Sequence, residues 1–220
     1  LSLSSIALAQ DGVSALSSTY SGYRLPWASG NWANVTCKEN CQMPDGTWRT
    51  DHDNQIDFSI QGPSVDGYVY AAKPGKVIFV KENSNTGVGS NMTGYANVVI
   101  IQHGPNEYSW YYHLAYNSVP VNVNDQVGYG TLIGQEGMTG FAPNVHLHFM
   151  VSTAVPNFPP SYTDSYAPWP PSGTIVTVDF FESSWDSLSG TAVISQNGAP
   201  GSCNGYESPG VSLFEHADCT

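Results

Sequence analysis

From Gln55 to Val151 the chain breaks into short runs of β-branched and aromatic residues separated by Gly, Pro and Asn, and this punctuation constrains the fold more than any other feature. The runs are Ile56–Ile60, Tyr68–Ala72, Gly75–Val80, Asn97–His103, Tyr108–Leu114, Thr131–Gly134 and Val145–Val151. Each has strand length, and no sustained 3.6-residue apolar period competes with them. The reading is an all-β domain of antiparallel strands, a compact sheet or sandwich. A further run, Thr174–Phe180, is expected to return to a sheet edge.

Around that domain the composition changes. Residues 1–20 read as a short helix or packed arm, and Tyr20 to Asp51 is rich in loop formers. Six prolines fall between Pro156 and Pro171, so this stretch wraps or links and does not build a sheet. Three regions follow: an arm and disulfide-containing loop over 1–47, a core over 48–152, and a Pro-rich wrap, edge strand and closed tail over 153–220.

Cys37, Cys41, Cys203 and Cys219 form two local pairs, the pattern of two short disulfide loops in an exported protein. A four-thiol zinc knuckle is the weaker alternative, because a C-x3-C followed far away by a C-x15-C is poor spacing for one. With six Lys plus Arg against eighteen Asp plus Glu, the formal charge is -12. That charge repels phosphate backbones and anionic membrane surfaces, so nucleic acid is not an expected partner. No apolar stretch is long enough to span a bilayer, so no membrane insertion is expected. A monomer is the simplest expectation.

The chemistry concentrates in His146-Leu147-His148. In a strand, residues i and i+2 share a face, so the two imidazoles point one way while Leu147 and Phe149 point into packing. Co-facing histidines suit zinc, which needs three protein ligands and an open position when it is catalytic. Asp57, inside the apolar run Gln55-Ile56-Asp57-Phe58, is the best carboxylate partner, because a buried Asp requires one. Asp51-His52-Asp53 lies just upstream, and His113 ends the aromatic run Trp110-Tyr111-Tyr112-His113-Leu114. His103, in a turn, and His216, in the tail, read as structural.

Taken in order, Asp57, Tyr111-Tyr112-His113-Leu114, the glycine run from Gly130 through Gly134, Gly137 and Gly140, and His146-Leu147-His148-Phe149 resemble the lysostaphin-type zinc endopeptidases. These are peptidoglycan-cleaving metalloenzymes whose core reads H-x-G-x-D, Y-x-H-L, G-x-x-I-G-x-x-G-x-T-G and H-L-H-F. The resemblance covers Trp48 to Val151. It implies a compact antiparallel β domain with a long groove and one zinc ion at its floor. Asp57 and His148 match metal ligands, and His146 and His113 match the two catalytic histidines. The family histidine four residues before the aspartate is absent, because Asp53 stands there and His52 stands five before. Either a longer loop lets His52 bind, giving His52, Asp57 and His148, or Asp53 replaces it. His52 is preferred, since imidazole suits zinc and loop length changes easily. The family glycine is also missing, with Gln55 in its place counted from Asp57.

The implied reaction is zinc-assisted peptide hydrolysis in a secreted protein. Its substrate would be a peptidoglycan cross-bridge or a Gly-rich peptide, lying between walls formed by Trp110, Tyr111, Tyr112 and Tyr95. No H-E-x-x-H sequence offers a glutamate base. Two other classes stay open: an inactive wall-peptide or protein-binding module of the same fold, and a latent precursor with the arm or the Pro-rich segment across the groove.

Overall fold

The computed structural model describes residues 20–39, 41, 46, 52–62, 66–87, 89, 94–155, 166–188, 193–195 and 197. The N-terminal arm and the Cys203/Cys219 pair lie outside these residues. Among the described residues the structure is built from strands, with helix confined to short 3-10 turns such as Trp185–Ser187.

In chain order the strands are β1 Tyr20–Tyr23, β2 Trp32–Lys38, β3 Gln55–Gln61, β4 Tyr68–Tyr70, β5 Gly75–Lys81, β6 Val98–Gly104 and β7 Glu107–Tyr112. They continue as β8 Gln126–Val127, β9 Leu132–Gln135, β10 Leu147–Ser152, β11 Ile175–Val176, β12 Val178–Phe180 and β13 Val193–Ile194. Nine form one sheet in the order β13-β2-β3-β10-β7-β6-β5-β8, with β11 added on β10. All its pairs are antiparallel. Two small sheets flank it, β4 with β9 and a parallel β1 with β12.

The structure differs from the sequence reading at the N-terminal side. The stretch read as loop-rich from Tyr20 contains β1 and β2, and β2 is an inner strand of the main sheet. Its polar positions Asn34 and Thr36 are exposed while Ala33 and Cys37 are buried, so its alternation is real but short. The Thr174–Phe180 run splits at Thr177 into β11 on the main sheet and β12 on β1.

The period-two alternation of the strands sorts side chains onto two faces. Ile56, Phe58, Val99, Ile101, Tyr111, Leu147, Phe149 and Val151 enter the larger core, joined by Trp27 and Trp185 from outside the sheet. On the opposite face Val98, Ile100, Trp110, Tyr112 and Met150 build a smaller core with Ala167 from the Pro-rich wrap. Asp57 and His148 belong to this second face, so the candidate site stands on a sheet whose reverse side is fully packed.

Candidate metal centre

Antiparallel register places one residue of each strand in a line across the sheet. Cys37 pairs with Asp57, Asp57 with His148, His148 with Tyr112 and Tyr112 with Val98. Directly opposed side chains share a face at close range. Asp57 and His148 are therefore fixed together by β3 and β10, with no loop involved.

His52 comes from the turn before β3. Asn54, at φ 58°, takes the left-handed conformation that turns the chain, and Gln55 N donates to His52 O at 3.1 Å. Asn tolerates this region better than most residues. The turn position filled by glycine in the family pattern is thus Asn54, counted from His52, and not Gln55, which sits buried in β3. His52 is buried while Asp53 is exposed, so the turn brings the histidine, not the aspartate, to Asp57.

Three donor atoms converge. His148 Nδ1 lies 2.8 Å from Asp57 Oδ1, His52 Nε2 lies 3.2 Å from the same oxygen, and the two nitrogens are 3.1 Å apart. A tetrahedral zinc with bonds of about 2.0–2.1 Å needs donors about 3.3 Å apart. The three atoms fit such an ion after moving a few tenths of an ångström.

The electrostatics suit a cation as well. Burial works to raise the Asp57 carboxyl, but hydrogen bonds from His148 and His52 and their positive character outweigh it and hold the group well below the usual carboxylate range. Burial pushes the His148 imidazole down to about 4 against the opposing pull of Asp57. A metal requires an ionised carboxylate and a neutral imidazole, and these are the forms favoured at Asp57 and His148.

His113 and His146 stand beside this triad. Their ring centroids are 4.7 Å apart, and His113 lies 5.7 Å from His148. His146 Nε2 is 3.7 Å from Asp57 Oδ1. Each donates through Nδ1 to a carbonyl, His113 to Thr139 O at 2.7 Å and His146 to Asn144 O at 2.8 Å. A carbonyl only accepts, so in the neutral rings Nδ1 carries the proton and Nε2 is the basic nitrogen. His113 adopts φ 65°, a strained conformation at a histidine just past β7. Burial, then the neighbouring His146 and His148, drives its imidazole well below the ordinary value.

The glycine run explains how His113 is held. Thr139 Oγ1 donates to Leu114 O and accepts from Asn97 N, while its carbonyl accepts the hydrogen bond from His113 Nδ1. Gly137 bridges to His146, and a Cβ there would stand 2.7 Å from Ala115 N and 2.8 Å from His113 O. Two shallow concavities of about 350 and 380 Å³ share Ala115 and Gly137 at this rim.

The walls are not those expected. Trp110 and Tyr111 are fully buried in the two cores, and Tyr112 is nearly so, because strand alternation directs all three into packing. Tyr95 is about half-exposed. Sequence reasoning missed Trp169, which is 44% exposed with its ring 5.7 Å from His148 and 5.2 Å from Tyr112. It is anchored by a Tyr112 hydroxyl hydrogen bond to Pro168 O and by Ala167 N donating to Gly94 O. Composition marked this segment as a wrap, but nothing in the sequence says where it lands.

Cys37 also reaches this centre. It is joined to Cys41 in a disulfide, and its sulfur lies within 4.8 Å of the ligand atoms of His52 and Asp57. His103 stands apart, its Nδ1 donating to Pro74 O and its Nε2 2.8 Å from Ser109 Oγ. His216 lies outside the described residues.

Residues 54–159 match the sequence profile of peptidase family M23. No curated protein sequence matches the chain. Among solved structures, a mutant catalytic domain of the prophage-encoded M23 protein EnpA from Enterococcus faecalis is 21% identical, covering 66% of this chain and 88% of that one at a TM-score of 0.44. The catalytic domain of the antimicrobial peptidase lysostaphin from Staphylococcus simulans is 21% identical over 64% of this chain and 88% of that one, at 0.37. A zinc containing peptidase from Vibrio cholerae is 24% identical over 58% of this chain and 37% of that one, at 0.40.

Proposed function

Because residues 54–159 belong to peptidase family M23, the lysostaphin-type metallopeptidases, we propose that the protein is a secreted zinc metalloendopeptidase acting on peptidoglycan cross-bridges or Gly-rich peptides. The observation that carries this reading is the convergence of His52 Nε2, Asp57 Oδ1 and His148 Nδ1 within 3.2 Å. These three residues would hold one zinc. When bound, zinc supplies Lewis acidity that polarises the scissile carbonyl and makes water a nucleophile near neutral pH.

The remaining steps belong to this chain. His113 and His146, with Nδ1 tied to carbonyls, leave Nε2 as the basic nitrogen that would take a proton from the attacking water and return it to the leaving amine. Burial, then the neighbouring His146 and His148, lowers the His113 imidazole and so favours its neutral form, the one that can accept a proton. No step requires a glutamate base. Hydrogen bonds to Thr139 and Asn144 orient both rings, so proton transfer needs no side-chain search.

The rim argues for an extended peptide with small side chains. Tyr116 and Met138 border one concavity, Val145 borders the other together with Asp66 and Glu136, and Trp169 stands exposed beside His148, so the floor is shallow and only partly apolar. Secretion draws its support from the Cys37–Cys41 disulfide, a bond that persists in oxidising compartments.

Zinc analysis together with pentaglycine and peptidoglycan cleavage, on the protein and on His113→Ala, tests this function. The expected result is bound zinc in both and turnover only in the unsubstituted protein. Zinc without turnover of any wall or Gly-rich substrate would select the inactive binding module.

A further inference from the structure

We propose that Cys37 is a masked fourth metal ligand: while bonded to Cys41 it leaves the centre open, and once reduced it closes the centre as a His-His-Asp-Cys site. The inference rests on the metal-centre reading and concerns what else in the chain can occupy that centre.

The first support is register. Across β2 and β3, Val35 pairs with Phe58 and Cys37 with Asp57, with a bulge between them. Without the extra residue Thr36 would oppose Asp57, and Cys37 would point toward the larger core. A bulge re-aims a side chain in this way. Here it delivers sulfur to the same face and the same row as two candidate ligands.

The second is reach. Cys37 is 6% exposed, and its sulfur lies within 4.8 Å of the His52 and Asp57 ligand atoms. In a tetrahedral site a Zn–S bond of about 2.3 Å places sulfur about 3.6 Å from its neighbouring donors. Relative to His52 and Asp57 the remaining distance is at most about 1 Å, within reach of a side-chain rotation once the sulfur is released, and His148 already lies 2.8 Å from Asp57 and 3.1 Å from His52.

The third is that β2 is held without the disulfide. Its ladder to β3 runs from Trp32 to Lys38, Lys38 Nζ donates to Trp185 O at 2.8 Å, and Glu39 N donates to Gln55 O. Trp185 Nε1 in turn donates to Glu39 Oε1 at 2.8 Å. Opening the Cys37–Cys41 bond therefore leaves Cys37 in place.

The chemistry balances with an external dithiol as co-reactant. It supplies two electrons and two protons, the Cys37–Cys41 bond becomes two thiols, and the dithiol leaves as its own disulfide. Cys37 Sγ releases its proton to solvent as its bond to the metal forms. Four protein ligands make a closed, structural type of zinc site, whereas three leave the position that catalysis needs. Reduction should thus stop turnover while the metal stays bound.

Cobalt-loaded protein tests this directly by absorption spectroscopy, before and after reduction with a dithiol that is then removed. The expected result is a thiolate-to-cobalt charge-transfer band in the reduced protein, absent from the oxidised one. Cys41→Ser, which frees Cys37 permanently, should show the band without reductant. Cys37→Ser should show cobalt ligand-field bands, no thiolate band and no response to reductant. Cobalt bound in reduced protein and in Cys41→Ser without a thiolate band overturns the inference alone. Failure of the oxidised protein to bind cobalt at all overturns the metal centre, and this inference with it.

Discussion

Asp57 and His148 face each other directly across the β3–β10 ladder, with Oδ1 and Nδ1 2.8 Å apart. Because backbone pairing sets this contact, the two candidate ligands keep their spacing whatever the surrounding loops do, while His52 joins them from a turn. Substitution should therefore separate the two aspartates near that turn. His52→Ala and Asp57→Ala are expected to lose bound zinc, whereas Asp53→Ala, altering an exposed side chain, should retain it. Metal content measured after dialysis checks this, and full zinc in His52→Ala would move the first ligand elsewhere.

His113→Ala and His146→Ala should behave differently from the ligand variants. Neither removes one of the three converging donors, so metal is retained. Turnover should fall by about 100-fold or more, the usual contribution of a positioned general acid or base. Metal analysis and peptide cleavage on the same preparations give the answer. Unchanged turnover in either variant would remove that residue's catalytic role.

Trp169 lies outside the matched family segment yet borders His148. As a wall it would hold substrate against the centre, so Trp169→Ala should raise KM several-fold with little change in kcat. Steady-state kinetics on a pentaglycine substrate decides. A rise in kcat/KM would instead identify the Pro-rich wrap as an obstruction, as in a latent form.

Away from the site, His103 should make stability depend on acid. Although the residue as a whole is only partly buried, its imidazole is bound at both nitrogens and packs edge-on against Tyr23. Burial pushes it from 6.5 to about 4, against the pull of Pro74 O and Glu107. Between pH 4 and 6.5 the unfolded chain then binds more protons than the folded one, so stability is complete above 6.5 and declines as pH falls. The slope from this group is at most about 1.4 kcal/mol per pH unit. Urea unfolding across the window should give a flatter dependence for His103→Gln, and an identical slope would show that another group governs it.

Much of this architecture was legible because it depends on local alternation. The strand runs from Ile56 to Val151 and the shared face of His146 and His148 follow from period two, and Asp57 stood out as a carboxylate in an apolar strand. What escaped depends on longer-range or sub-residue geometry. The bulge that aims Cys37 inserts one residue in a strand too short for its pattern to register. Asn54 replaces a glycine through backbone conformation, which composition does not reveal. Trp169 arrives through a wrap whose prolines announce extension but not direction, and Trp110 and Tyr111, offered as walls, are claimed by packing.

Gly137 offers the sharpest test of how the catalytic histidines are positioned. A methyl group there would lie 2.7 Å from Ala115 N and 2.8 Å from both Ala115 Cα and His113 O, all backbone atoms that cannot rotate aside. Gly137→Ala must therefore push the segment carrying His113 away from the strand that leads to His146. Overpacking of this kind costs about 1–3 kcal/mol. Because the three converging donors sit on β3, β10 and the turn before β3, metal should remain bound. Turnover should fall more than the loss of stability accounts for at a temperature where the variant is still folded. Thermal unfolding, metal content and cleavage rate measured together distinguish the outcomes. Destabilisation with normal turnover in the folded fraction would mean that His113 is positioned from the Thr139 side alone.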